Sequence, residues 1–244
     1  MQNPNSELRD YLIKLIVRLL YIKGLNKQLK FLKEWETPKR IIALEIGAYF
    51  FRLVGFSFNR TLLIELCMLL DAREEKCIID WLAKAKEHSK SLEPSIFNPE
   101  IQKREILNTD AYKKIISEQQ ETITSKKEII DRVKGRRDTA LAHSDASYFN
   151  KPDDLYVKFP LSTEEIDGLI NMATEILRMQ HVYLFESDLD IQVHATSNID
   201  TVLWHTRGFK RVWHDKRAKS LYPGWYKLDD FEEKINEYLD RKTK

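Results

Sequence analysis

The sequence predicts an all-α fold: a helical bundle followed by a small carboxyl-terminal appendage of unassigned structure. Three observations predict it. Seven glycines and seven prolines in 244 residues are few, which favours long uninterrupted elements over many short strands joined by turns. Apolar residues recur at helical spacing over long stretches, and helix start signals precede several of those stretches.

The first helix is expected from Ser6, whose hydroxyl can cap free amides. It places Leu8, Leu12, Leu15, Ile16, Leu19 and Leu20 on one face and Lys14 and Arg18 on the other. Gly24 is placed to end or bend it before Leu25 to Trp35. Thr37-Pro38 is the next start signal, because proline suits the first helical position. A long helix follows through Ile41, Leu44, Ile46, Phe50, Phe51 and Val54 to Leu62, Ile64, Leu66 and Leu69. It is apolar nearly all round, the pattern of a helix covered by neighbours.

Asp71 can cap the helix after it, with Glu74 and Glu75 suiting the amino-terminal dipole and Ile78, Ile79, Trp81, Leu82 and Ala85 forming the packing face. An end is expected near Ser89. Leu92 to Asn98, with Pro94 inside and Pro99 after, reads as a loop, and Asn98-Pro99 can open a short helix. From Asp110 the pattern is helical through Ile115, Ile116, Ile123, Ile129, Ile130 and Val133. Ala146 to Phe159 reads as a linker ending at Pro160.

Ser162 and Glu165 form a capping-box pattern ahead of a core helix carrying Ile166, Leu169, Ile170, Ala173, Ile176 and Leu177. Beyond Ser187 the periodicity fades. The expected division is a bundle over residues 1–187 and a basic, aromatic appendage over 188–244, closed by an amphipathic helix capped by Asp229 or Asp230.

Charged residues make up 32% of the chain yet nearly cancel to +2, so any basic surface is local. Cys67 and Cys77 lie in apolar patterns and read as buried thiols. Apolar runs are broken by Arg18, Lys23, Glu45 or Arg52, and no signal-peptide cleavage pattern is present. The expectation is a soluble cytoplasmic protein with no membrane. His194, His205 and His214 are spaced too widely for zinc-ligand pairs. No glycine-rich phosphate loop or GxSxG elbow occurs. No metal or other cofactor is expected.

The chemistry concentrates in Lys134 to Asp145, KGRRDTALAHSD. Guanidinium groups offer paired donors to phosphate, and imidazole moves protons near neutral pH. Arg136 and His143 are seven residues apart, within roughly 20° of one face of an ideal helix; Arg137 sits further round. A solvated basic helix end is the plainer reading of the same charges.

RRDTALAHSD resembles the arginine-to-histidine motif of the HEPN superfamily, in which an arginine and a following polar residue precede a histidine at short spacing. Arg137, Asp138 and His143 match, with five residues between arginine and histidine. The apolar helix ending in CMLLD, the one ending in WLAKAKEH and the capped helix after LSTEE resemble the branch named for the abortive-infection system AbiU. The likeness covers about Ile41 to Phe185.

The resemblance implies a HEPN-like bundle that forms a homodimer with the two motifs facing one cleft. It implies a metal-independent endoribonuclease in which the ribose 2'-hydroxyl attacks the adjacent phosphate. His143 would then be acid or base, Arg137 would hold the phosphate, and Asp138 would orient them. Beside the matched residues, Lys134 and Arg136 are read from their charge and position as RNA contacts. Such a protein would be a toxin or antiphage effector, with an antitoxin or other defence protein as a further partner.

The segment Trp204 to Trp225 interleaves Arg207, Lys210 and Arg211 with Phe209 and Trp213. It reads either as an RNA-holding surface, with stacking aromatics and phosphate-facing cations, or as an appendage packed on the bundle. The rival to the enzyme is a non-catalytic HEPN-fold module that binds RNA, a nucleotide or a partner.

Overall fold

The computed structural model describes residues 4–33, 48–98, 103–142, 157–192 and 202. Among them are seven α-helices, one π-helical segment and one two-stranded hairpin. The helices are α1 (Pro4–Lys33), α2 (Ala48–Leu70), α3 (Ile78–Glu87), α4 (Ser89–Leu92), α5 (Thr109–Ser125), α6 (Lys127–Arg136) and α7 (Thr163–Phe185). The π-helical segment, Arg137–Ala142, continues directly from α6. The fold is all-α, as the spacing of apolar residues predicts.

The chain divides into two compact units, Met1–Asn26 with Phe58–His194 and Lys27–Ser57 with Ala195–Lys244. The residues from Leu203 onward, including Arg207, Lys210, Arg211 and the expected last helix, lie outside the described residues, as does Thr37-Pro38. In the second unit, Leu29, Leu32 and Phe51 are buried.

The core of the first unit is built from one face of each long helix. Leu8, Leu12, Leu15, Ile16, Leu19 and Ile22 are buried on α1, while Ile13, Val17 and Tyr21 are exposed on the other face. Gly24 does not end α1, which runs through it to Lys33. Continuing hydrogen bonds on both sides outweigh the roughly 1 kcal/mol that glycine costs inside a helix. The start is at Pro4, so Ser6 sits inside the first turn and is not the cap.

Polar contacts then fix how the faces meet. The Trp81 indole on α3 donates to the Leu8 carbonyl of α1 at 2.9 Å. The buried Tyr112 hydroxyl on α5 donates to Gln180 Oε1 of α7 at 2.6 Å, and Asn26 of α1 donates to Asp167 of α7 at 2.7 Å. The Ser162–Glu165 capping box is present at the start of α7, both reciprocal bonds included.

By length and composition Tyr49–Leu70 could cross a membrane, so Arg52 does not interrupt that stretch enough to prevent it. Its carboxyl-terminal half buries Leu62, Leu63, Leu66, Cys67, Leu69 and Leu70. That half supplies core to the first unit.

Two further expectations are corrected. Leu92 to Asn98 is not simply a loop: Ser95–Asn98 forms strand β1, paired antiparallel with β2, Lys103–Ile106. Local sequence hides this because each strand has four residues and β2 is exposed throughout. The hairpin is held by distant partners, since Ser95 Oγ donates to Glu186 Oε1 at 2.9 Å and Arg104 pairs with Glu186 just beyond α7. Asp71 is likewise not the cap of α3. Cys77 is, its sulfur accepting from the Asp80 amide, and the residues between form a turn whose carboxylates face elsewhere. The helix expected from Asp110 starts at Thr109, with Asn108 as its cap.

Gly135 is needed where α6 meets the chain before α7: a Cβ there would collide with the ring of Phe159. Displacing the ring costs about 1–3 kcal/mol, as overpacking generally does, more than the helix propensity alanine would add. A methyl group at Gly24 would meet nothing within 4 Å. Urea denaturation should therefore show Gly135→Ala lowering stability and Gly24→Ala raising it by roughly 0.5–1 kcal/mol. Equal shifts in the two variants would refute the packing argument.

Candidate functional site

The carboxyl-terminal end of α2 and the carboxyl-terminal end of α6 meet through charge. Asp71, one residue past α2, is buried, and its amide donates to the Cys67 carbonyl at 2.8 Å. A buried carboxylate must be compensated by cations or donors. Here Lys134 Nζ lies 3.4 Å and Arg137 Nη2 3.8 Å from its Oδ2. Arg73 adds its backbone amide at 3.2 Å and a guanidinium contact at 3.4 Å.

Arg137 is the hub. Its Nη1 donates to Glu74 Oε1 at 2.8 Å and its Nε to Asp138 Oδ1 at 2.8 Å. With Asp71 behind, three carboxylates surround one guanidinium that is 17% exposed. Burial works against its charge. The Asp138 hydrogen bond, the nearby Cys67 and the Glu74 hydrogen bond outweigh that effect, raising its pKa further above the usual arginine range.

The predicted residues are thus distributed as follows. Arg137, Asp138 and Lys134 come together around Asp71. Arg136 turns the other way: it is buried, and its Nε donates to the Phe159 carbonyl at 2.6 Å. It lines a cleft of about 510 Å³ with Arg132, Pro160, Leu161, Ser162 and Glu165. His143, Arg207, Lys210 and Arg211 lie outside the described residues. Among the described residues, no group of three His, Cys, Asp or Glu side chains could hold a metal ion.

The π-helical segment bears on the motif directly. The reading that put Arg136 and His143 on one face assumes α-helical spacing from 136 to 143, and the backbone abandons that spacing at Arg137. π turns close i to i+5 and are frequent at functional sites. Arg137 and Asp138 therefore stand on a wider turn that continues directly from α6.

Sequence reasoning missed Asp71 and Glu74, assigning both to the amino terminus of the following helix. Their partners are more than sixty residues away, and no local spacing announces such a pairing. The available signal was a single acidic residue closing the apolar run CMLLD.

Comparison with known proteins adds the family. The HEPN_AbiU2 family model, described as AbiU2, matches residues 20–202. The chain belongs to the AbiU2 family of HEPN proteins. As an AbiU2 protein it is a HEPN-type module of nuclease-like or defence-related kind, and HEPN domains commonly act on RNA and dimerise. The AbiU name itself points to abortive infection. Neither the comparison with curated proteins nor that with solved structures gives a match.

Cys67 lies beneath this cluster. Burial, opposed by Arg137 and reinforced by Asp71 and Asp138, pushes its thiol up to about 12; burial also raises that of Cys77. Both are free and buried. A raised thiol pKa leaves the neutral, unreactive form dominant at pH 8. Ellman's reagent at pH 8 should titrate neither cysteine in the folded AbiU2 protein and both in denaturant. Rapid modification of Cys67 in the native protein would contradict the packing under Arg137.

Proposed function

We propose that this AbiU2 protein is a metal-independent HEPN endoribonuclease, a toxin or antiphage effector that works as a homodimer. The observation that carries the reading is Arg137: the motif arginine, with its Nε on Asp138, stands where the helix widens into a π turn. In this mechanism one histidine of the motif accepts the proton of the ribose 2'-hydroxyl. The 2'-oxygen attacks phosphorus, the bond to the 5'-oxygen breaks, and an acid returns a proton to that leaving oxygen. The products are a 2',3'-cyclic phosphate and a 5'-hydroxyl. His143 supplies acid or base, and two copies facing one cleft supply both. Arg137 binds the non-bridging oxygens and offsets the charge that builds on them. Asp138 holds the guanidinium plane by its Nε edge.

A second reading is favoured by the same cluster. Three carboxylates already engage Arg137, which suits a HEPN-fold module that binds RNA, a nucleotide or a partner without cutting. The two differ at His143, because binding needs no proton transfer.

Purified Arg137→Ala and His143→Ala proteins should each lose at least about 100-fold of the RNA cleavage rate. His143→Ala should melt as the parent does, whereas Arg137→Ala, which takes a cation from buried Asp71, should melt lower but still cooperatively. A chelator should leave the parent's rate unchanged. Parent-like cleavage by His143→Ala would remove the enzyme assignment of that residue, and RNA binding without cleavage by the parent would establish the second reading. Sedimentation at micromolar concentration should give a dimer; a monomer that cleaves at full rate would exclude the shared cleft.

A further inference from the structure

The three carboxylates on Arg137 are not equivalent. Asp71 is the fixed one: its side chain is 9% exposed, and it also meets Lys134 and Arg73. Asp138 is the next residue in the chain and engages the Nε edge. Glu74 holds a different corner. Its side chain is 34% exposed, it sits in the turn between α2 and α3, and it reaches the Nη1 corner of the guanidinium. A carboxylate on a guanidinium makes the same kind of charge-assisted contact as the non-bridging oxygens of a phosphate.

A polyanion approaching Arg137 therefore meets an acidic screen, and Arg137 can engage it only when one carboxylate leaves. Moving Asp71 would strand a buried charge. Asp138, 44% exposed, can turn away as well, but it holds only the Nε edge and its departure leaves Nη1 occupied. Only rotation of the Glu74 side chain frees Nη1 while Asp138 still holds Nε.

We propose that Glu74 occupies the phosphate position on Arg137 in the free protein and is displaced by the RNA backbone. The inference rests on the reading of Arg137 as the phosphate-binding residue. The Nη1 corner of the guanidinium is the part that receives the phosphodiester, while Asp71 and Asp138 keep the group oriented throughout. Free protein is thereby held in a low-affinity state, and weak anions do not compete for the site.

The test is the affinity of the full chain for an RNA decamer in which fluorine replaces every 2'-hydroxyl, so that the nucleophile is absent. Glu74→Gln keeps the shape and removes the charge; it should bind roughly three- to fivefold tighter than the parent at fixed ionic strength, the upper part of the range expected from one exposed ion pair. Glu75→Gln, the same charge change one residue on, should bind within about twofold of the parent. The gain from Glu74→Gln should vanish in the Glu74→Gln, Arg137→Ala double variant, measured against Arg137→Ala alone.

Unchanged affinity in Glu74→Gln overturns the placeholder role. So does a gain that persists without Arg137 or is matched by Glu75→Gln, since that is only long-range charge. If Glu74→Gln proves unstable to heat, Glu74→Asp, which keeps the charge but shortens the reach to Nη1, must still bind tighter than the parent. Failure of these binding tests with Arg137→Ala still deficient in cleavage rejects the placeholder alone; parent-like cleavage by Arg137→Ala rejects the underlying reading.

Discussion

The contact between buried Asp71 and the cations Lys134 and Arg137 is the constraint on which the site depends. A carboxylate this far from water is stable only where donors and cations surround it. Placing one immediately after α2 obliges the end of α6 to come to it. That requirement fixes the register of two helices that local pattern leaves free to slide, and it decides which way Arg137 points. Glu74 follows from the same turn, its amide donating to the Asp71 carbonyl at 3.0 Å.

A second constraint acts on the other side of α6. Gly135 lets Phe159 lie against the helix, and the Phe159 carbonyl takes the Nε of Arg136. Adjacent arginines are thereby sent to opposite jobs, Arg136 into the packing beside α7 and Arg137 into the acidic cluster. The change to π-helical backbone begins at Arg137. Two adjacent residues of one sequence type acquire distinct environments from neighbours on different elements.

This division explains what could be read in the sequence. The long helices were legible because apolar spacing and caps are local: the capping box at Ser162 and Glu165 is a four-residue pattern that the structure realises. The motif was legible for the same reason. Asp71 and Glu74 were not, because their role is set by partners far along the chain, and a carboxylate after a helix looks alike whether it caps the next helix or binds an arginine. The hairpin was hidden because its strands are stabilised by Glu186 and not by any alternation of their own. Gly24 misled because tertiary packing of the buried α1 face outweighs a single residue's propensity.

Arg137 is proposed as the phosphate-binding group of an RNA-cleaving HEPN site. A crystal structure of the full chain with the 2'-fluoro RNA is its most direct test. A backbone phosphate oxygen is expected within hydrogen-bond distance of Arg137 Nη1, with Glu74 swung away and Asp71 and Asp138 where they stand now. Phosphates bound elsewhere on the protein, with Arg137 still engaged by Glu74, would contradict it.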